Sequence, residues 1–351
     1  MPPPTAAPRA RSRKRRPREL GGALKPREVS AQEFFRLHLS TNTPALLHGL
    51  THHWEAMRAW SSPDGTPNLD HFLRSPMVDS VVPVDLLPRD GSGSGYGEAK
   101  RLHIPMREFA RRWSEATAEP APERPLPYLR DWHFARDFPA EAAAAYSPPP
   151  PFGLDWLNEW WATARAAQSD EPADDFRFVY IGPAGSWTSL HHDVLNSFSW
   201  SANVCGVKHW LLFPPSVTPL LKDGSGQLVP DARPQAASAA RDSRWPGLPR
   251  ALSSSVEIVQ RAGEVVFVPS GWHHQVHNLT HTISINHNWL TGACLPSLTN
   301  FLLGELEGVR RTIAQWRGEA GCSLKDASMM EPQAWHQVKA LQQFETQTHL
   351  R

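Results

Sequence analysis

Two clusters in this sequence carry side chains able to hold a metal ion: Leu190-His191-His192-Asp193 and Gly271-Trp272-His273-His274-Gln275-Val276-His277. In a β-strand, residues i and i+2 share a face, so His191 and Asp193 would offer one imidazole and one carboxylate to a common point. The second cluster can supply a further imidazole, because an antiparallel sandwich brings strands distant in sequence side by side. Two imidazoles and one carboxylate on one side of an ion leave three octahedral positions open, an arrangement that suits non-haem Fe(II) and its oxygen chemistry. Spacing alone does not choose between His191 and His192, or among His273, His274 and His277, and the same ligand types also fit a hydrolytic zinc site. A lone His-x-Asp is a common surface pair. The second histidine-rich strand is what gives it weight.

The elements that must position these side chains are strands. From Phe176 to Trp289, short β-branched and aromatic runs (176–180, 198–204, 208–213, 265–268 and 282–286) alternate with Gly and Pro turns, which predicts an antiparallel sandwich or barrel. Upstream, Ser30 and Glu33 have capping-box spacing ahead of Phe34, Phe35 and Leu37, predicting a first helix. Residues 44–48 and 80–85 read as short strands and 91–95 as a glycine-rich loop. Met106, Phe109, Ala110 and Trp113 form one stripe of an amphipathic helix. Four prolines at 148–151 break the chain before a tryptophan-rich short helix or turn over 154–161. Residues 216–254 are polar and rich in Pro and Ala, which predicts a long surface insertion. After Pro296, helical periodicity returns with Leu298, Phe301, Leu302, Leu306 and Val309 on one face. The expected organisation is a disordered basic tail over 1–24, a helix- and strand-bearing extension over 25–175, a β core over 176–290 and C-terminal helices over 291–351. Trp187, Trp200, Trp210, Trp272 and Trp289 are expected in the core rather than in a substrate cage.

Composition narrows the chemistry further. Hydrophobic residues at 40% and charged residues at 20% exclude wholesale disorder. Lys+Arg 36 against Asp+Glu 35 gives a formal charge of +1, so the folded part is expected to bind neither nucleic acid nor anionic lipid. No apolar run is long enough for a membrane span or a secretory signal, and the expected location is the cytoplasm. The stretch Arg9–Arg18 reads as a solvated tail, with nuclear import or organelle targeting as alternatives. Cys205, Cys294 and Cys322 are scattered, which gives no disulfide framework and no CxxC zinc pattern, so a metal must rely on His and carboxylate.

Three ordered motifs then make the chain recognisable: Gly182-Pro-Ala-Gly-Ser-Trp-Thr-Ser-Leu-His-His-Asp193, Ser199-Trp-Ser-Ala-Asn-Val-Cys-Gly-Val-Lys-His-Trp-Leu-Leu-Phe-Pro-Pro215 and Gly263-Glu-Val-Val-Phe-Val-Pro-Ser-Gly-Trp-His-His-Gln-Val-His-Asn278. Together they resemble the core of the jumonji C (JmjC) family, with weaker likeness at Tyr128–His133 and Asp155–Glu159. The resemblance implies a mainly β fold with flanking helices: a double-stranded β-helix, the jelly roll of the cupins, with an N-terminal α/β extension and C-terminal helices. It also implies a 2-oxoglutarate- and Fe(II)-dependent dioxygenase that consumes O2, releases succinate and CO2 and leaves a hydroxyl on its substrate. By this likeness the metal ligands fall on His191, Asp193 and His274. Lys208 and Thr188, with Tyr128 as a third candidate, fall where the family binds the distal carboxylate of 2-oxoglutarate. Asn286 and Asn288 fall near its metal-proximal end. The likeness points to a lysyl hydroxylase acting on a side-chain carbon of a protein, a translation-termination release factor. The alternatives are an Nε-methyl-lysine demethylase of histones or other proteins, and a non-catalytic jelly-roll binding module. The full ligand set beside Lys208 argues against the last, and the lack of zinc-finger cysteine clusters weighs against the demethylase.

Overall fold

A computed structural model describes residues 25, 27–89, 99–118, 121, 123–166, 175–234 and 243–318. Its strands are β1 (Ala45–Leu47), β2 (Val81–Leu87), β3 (Lys100–Pro105), β4 (Leu126–Trp132), β5 (Arg177–Gly182), β6 (Trp187–His191), β7 (Phe198–Cys205), β8 (Val207–Phe213), β9 (Val256–Arg261), β10 (Val265–Val268), β11 (His273–Asn278) and β12 (Thr282–Trp289). They form an eight-stranded sheet, β1-β10-β7-β12-β5-β4-β2-β3, and a four-stranded sheet, β6-β11-β8-β9. Every pairing between these strands is antiparallel. The expected cupin-like jelly roll is therefore present as two open sheets, with the extension's β1–β4 lengthening the larger one.

The two faces of the large sheet differ in chemistry, and this difference creates the site. On β12, Ile283, Ile285 and Trp289 join the main apolar cluster together with Val179 and Ile181 of β5 and Phe198 and Trp200 of β7. The N-terminal helices cover that face. Phe34 follows the capping box at Ser30 and Glu33, and Phe109 and Trp113 come from the helix Met106–Ala118. The proline run contributes more than a break, since the turn Pro150–Phe152 inserts Phe152 flat against Trp200, with centroids 5.7 Å apart and planes at 12°. Aromatic burial on this scale contributes roughly 1.5–3 kcal/mol per side chain. The alternate residues of β12, Ser284, Asn286 and Asn288, lie on the opposite face, turned toward the small sheet. Between the sheets, Leu46, Val266 and Val268 pack on Trp210, Leu212, Val256, Ile258 and Val276. Apolar packing thus closes one end of the interior and polar side chains occupy the rest.

The described parts of 216–254 correct the expectation of a polar surface insertion. Leu221, Val229, Ala232, Trp245, Leu248 and Ala251 are buried against Leu190, Leu211 and Phe213, making a second core behind the small sheet. These apolar residues are too widely spaced to show a period, which is why sequence pattern did not reveal them. The tryptophan-rich stretch over 154–161 enters a longer helix, Trp156–Ala166, and the chain continues after the sheets as the helix Leu295–Gly318. The basic tail, the glycine-rich loop at 91–95 and residues 319–351 lie outside the described residues. Among the described residues no helix is long and apolar enough to cross a membrane.

Candidate metal centre and co-substrate pocket

Backbone register brings the two histidine clusters together. β11 pairs antiparallel with β6 so that His274 stands opposite His191, with ring centroids 4.2 Å apart. Asp193 lies just beyond β6 in an extended conformation, ahead of a turn at Val194–Asn196. One ligand atom each from His191, Asp193 and His274 lies within 4.8 Å of the others, close enough to share one ion. The alternatives left open by spacing face elsewhere: His192 packs on His273, His273 approaches the Thr218 hydroxyl, and His277 stacks on Trp187 at 5.1 Å.

Hydrogen bonds orient each ligand. The Nδ1 of His191 donates to the Ser189 carbonyl at 2.8 Å, and that of His274 to the Trp272 carbonyl at 3.3 Å, which leaves the lone pair of each ring on Nε2. Ser199 donates its hydroxyl to Asp193 Oδ2 at 2.7 Å. Burial, and then the neighbouring His274, push His191 down to about 3. Burial pushes the Asp193 carboxyl up, but the two imidazoles and hydrogen bonds from Ser199 and Asn288 outweigh it and hold the group below its ordinary value. Asp193 is therefore a carboxylate and His191 a neutral imidazole at neutral pH, the forms that bind a cation.

A second feature lies along the same interior. Lys208 is only 1% exposed, and its Nζ donates to Ser284 Oγ at 2.7 Å. Among the described residues no carboxylate pairs with it, and burial pushes the ammonium down to about 7. Tyr128 is buried with Thr188 and Asn278 as its polar neighbours. Asn286 donates to Ser284 Oγ at 3.1 Å, and Asn288 donates to Ser197 Oγ at 3.2 Å. The Ser201 hydroxyl, two residues along β7 from Ser199, is buried without a partner. From Ser284, which meets Lys208, to Asn288, which meets the metal-ligand turn, is about 13 Å of strand. A five-carbon diacid with one contact at each end has comparable reach. The donor set fits a ferrous ion, and the uncompensated ammonium fits the far carboxylate of an oxo-acid.

The structure thus gathers His191, Asp193 and His274 at one end, Lys208, Thr188 and Tyr128 toward the other, and Asn286 and Asn288 along the wall between. Sequence reasoning missed Ser197, Ser199, Ser201 and Ser284. Their signal was available as polar residues at alternate positions, 197-199-201 running into and along β7 and 284-286-288 on β12. It also missed an ionic cluster beside the pocket. Arg101 and Arg130 bind Asp85 at 2.7 and 2.9 Å, and Tyr180 donates to Asp131 at 2.7 Å.

Comparison with known proteins agrees with this geometry. Residues 31–292 match the cupin-like domain family. The chain is 41% identical over 303 residues to the human protein "2-oxoglutarate and iron-dependent oxygenase JMJD4", covering 86% of this chain and 69% of that protein. It is 40% identical to the zebrafish (Danio rerio) protein of the same name, covering 83% and 65%. It is 35% identical to "Arginine-specific demethylase JMJ20" of Arabidopsis thaliana, covering 83% and 62%. The chain spans about two thirds of the length of these relatives. With register, ligand chemistry and similarity in agreement, the chain belongs to the cupin-like JmjC family of oxygenases, which use Fe(II), 2-oxoglutarate and O2.

Proposed function

We propose that this chain is a protein hydroxylase that oxidises a side-chain carbon of lysine in a protein substrate, a translation-termination release factor. The observation supporting the oxygenase chemistry is the pairing, in one interior, of the His191, Asp193 and His274 set, with His191 neutral and Asp193 ionised, and a buried ammonium that no carboxylate among the described residues pairs with. His191, Asp193 and His274 would hold Fe(II). Lys208, Thr188 and Tyr128 would hold the distal carboxylate of 2-oxoglutarate, with Asn286 and Asn288 near its other end. Bound together, metal and oxo-acid supply the oxidising power: 2-oxoglutarate and O2 become succinate and CO2, and one oxygen atom enters a substrate C–H bond.

The chain's own work is placement and exclusion of water. Ser199 and the backbone carbonyls of Ser189 and Trp272 fix the ligands, so little reorganisation accompanies binding. Lys208 is desolvated before the co-substrate arrives, which strengthens its attraction for a carboxylate and selects a diacid over a monoacid. The two sheets bury the co-substrate end of this interior, around Lys208, Thr188 and Tyr128, while His191 and Asp193 stay half-buried.

Lysine as the target and a release factor as the substrate rest on the motif resemblance. The Arabidopsis relative named as an arginine-specific demethylase supports a second reading, removal of an N-methyl group by the same site. Incubating the chain with Fe(II), 2-oxoglutarate and a release-factor fragment should add about 16 Da, one oxygen atom, to a lysine in the mass spectrum. Formaldehyde from methylated peptides, with no hydroxylated lysine, would favour the second reading.

A further inference from the structure

We propose that Ser270 is a positioning residue for the metal centre, fastening the turn that carries Asp193 to the loop that carries His274. The proposal rests on the reading of His191, Asp193 and His274 as metal ligands. Asp193 lies outside any strand, so no sheet hydrogen bonds fix it. Beyond the Ser199 hydrogen bond to its carboxylate, its placement depends on the turn that follows, where Leu195 and Asn196 have φ of 56° and 49°. Two consecutive left-handed residues, one of them leucine, persist only where their surroundings hold them.

Ser270 supplies that hold. It is 3% exposed, and its hydroxyl donates to the Asn196 carbonyl at 2.5 Å. The Ser297 hydroxyl, 2.8 Å away in the helix Leu295–Gly318, is a second acceptor within reach of the same hydroxyl. The Ser270 carbonyl accepts from Asn42 Nδ2 at 2.9 Å, and the Asn42 carbonyl accepts from Trp272 Nε1 at 3.0 Å. The Trp272 carbonyl receives the Nδ1 proton of His274. One unbroken run of hydrogen bonds therefore connects the Asp193 turn, Ser270, Asn42, Trp272 and His274. Among the described residues Ser270 makes no hydrogen bond to a ligand atom, and it acts through the segments that carry the ligands.

The test is equilibrium binding of Co(II) to the whole chain, read by its visible absorption, which reports ligand geometry, alongside thermal melting of the metal-free protein. Ser270→Ala leaves the Asn196 carbonyl without its donor, and the Co(II) dissociation constant should rise about ten-fold or more, with an altered absorption band. Ser297→Ala keeps the bond to Asn196 and should stay within about three-fold of wild type. Asn42→Ala cuts the same run at a less buried point, so it should weaken Co(II) in the same direction and serves if Ser270→Ala does not fold. A serine that only stabilises the fold would lower the melting temperature and leave Co(II) affinity and spectrum unchanged; that result overturns the proposal. A wild-type chain that takes up no Co(II) refutes the metal centre itself, a separate outcome.

Discussion

Replacing Lys208 with methionine should move stability and co-substrate binding in opposite directions. Methionine keeps most of the length of the side chain and removes its charge. In the unliganded chain the ammonium is fully buried, with the Ser284 hydroxyl as its partner. A cation whose pKa falls from 10.5 to about 7 carries a desolvation penalty on the order of 5 kcal/mol at neutral pH. Part of that is offset by the bond to Ser284, and swaps of this kind elsewhere stabilise by about 1–4 kcal/mol. Ser284 does not become an orphan, because Asn286 still donates to it. Lys208→Met should therefore unfold at higher denaturant concentration than wild type when metal and 2-oxoglutarate are absent. Its affinity for 2-oxoglutarate, titrated calorimetrically on the Mn(II)-loaded protein, should fall by two to three orders of magnitude, about 3–4 kcal/mol for a buried carboxylate left unpaired. Binding within about three-fold of wild type would refute the assignment of Lys208 to the co-substrate. Lower stability of the unliganded variant would refute the account of Lys208 as an uncompensated buried charge.

The same ammonium sets a pH dependence. Its folded pKa of about 7 lies below the unfolded value, so between pH 7 and 10.5 the unfolded chain binds the extra proton, and this contribution to stability rises with pH across that window and is flat below it. Denaturant melts of the metal-free chain at pH 7 and 9.5 should show a rise in wild type that Lys208→Met lacks, and 2-oxoglutarate affinity should weaken above pH 7 in wild type alone. Gly206 has φ of 77°, and a Cβ there would run into the His281 backbone carbonyl; Gly206→Ala should cost more than about 2 kcal/mol in a denaturant melt. Phe152→Ala empties the space between Phe34 and Trp200 and should cost about 3–5 kcal/mol, with a lower melting temperature. His191→Ala should abolish Fe(II)-dependent succinate formation, measured directly.

Much of this site was legible in the sequence because ligand types two residues apart stay close in space, although Asp193 lies past the end of β6 and not on one strand face with His191 as expected. His191 and Asp193 sit two apart, and the capping box at Ser30 and Glu33 forms as its spacing requires. Which histidine of the second cluster completes the set was not local information. It depends on the register that sets His274 opposite His191, and motif resemblance supplied it where physics left three candidates. The insertion was misread because Leu221, Val229 and Trp245 lie far apart in sequence and meet only on the back of the small sheet. Phe152 was missed because a proline run masks a side chain that tertiary packing draws inward. The serines of β7 and β12 were overlooked although their alternation was visible, because polar residues in strands usually face solvent and here face an enclosed pocket.

Anaerobic Fe(II) titration of the wild-type chain beside His191→Ala, Asp193→Ala and His274→Ala tests the central claim most directly. The account predicts that wild type saturates with one ion per chain and that each substitution abolishes or severely weakens that binding. Undiminished binding in any of the three, or none in wild type, would contradict it.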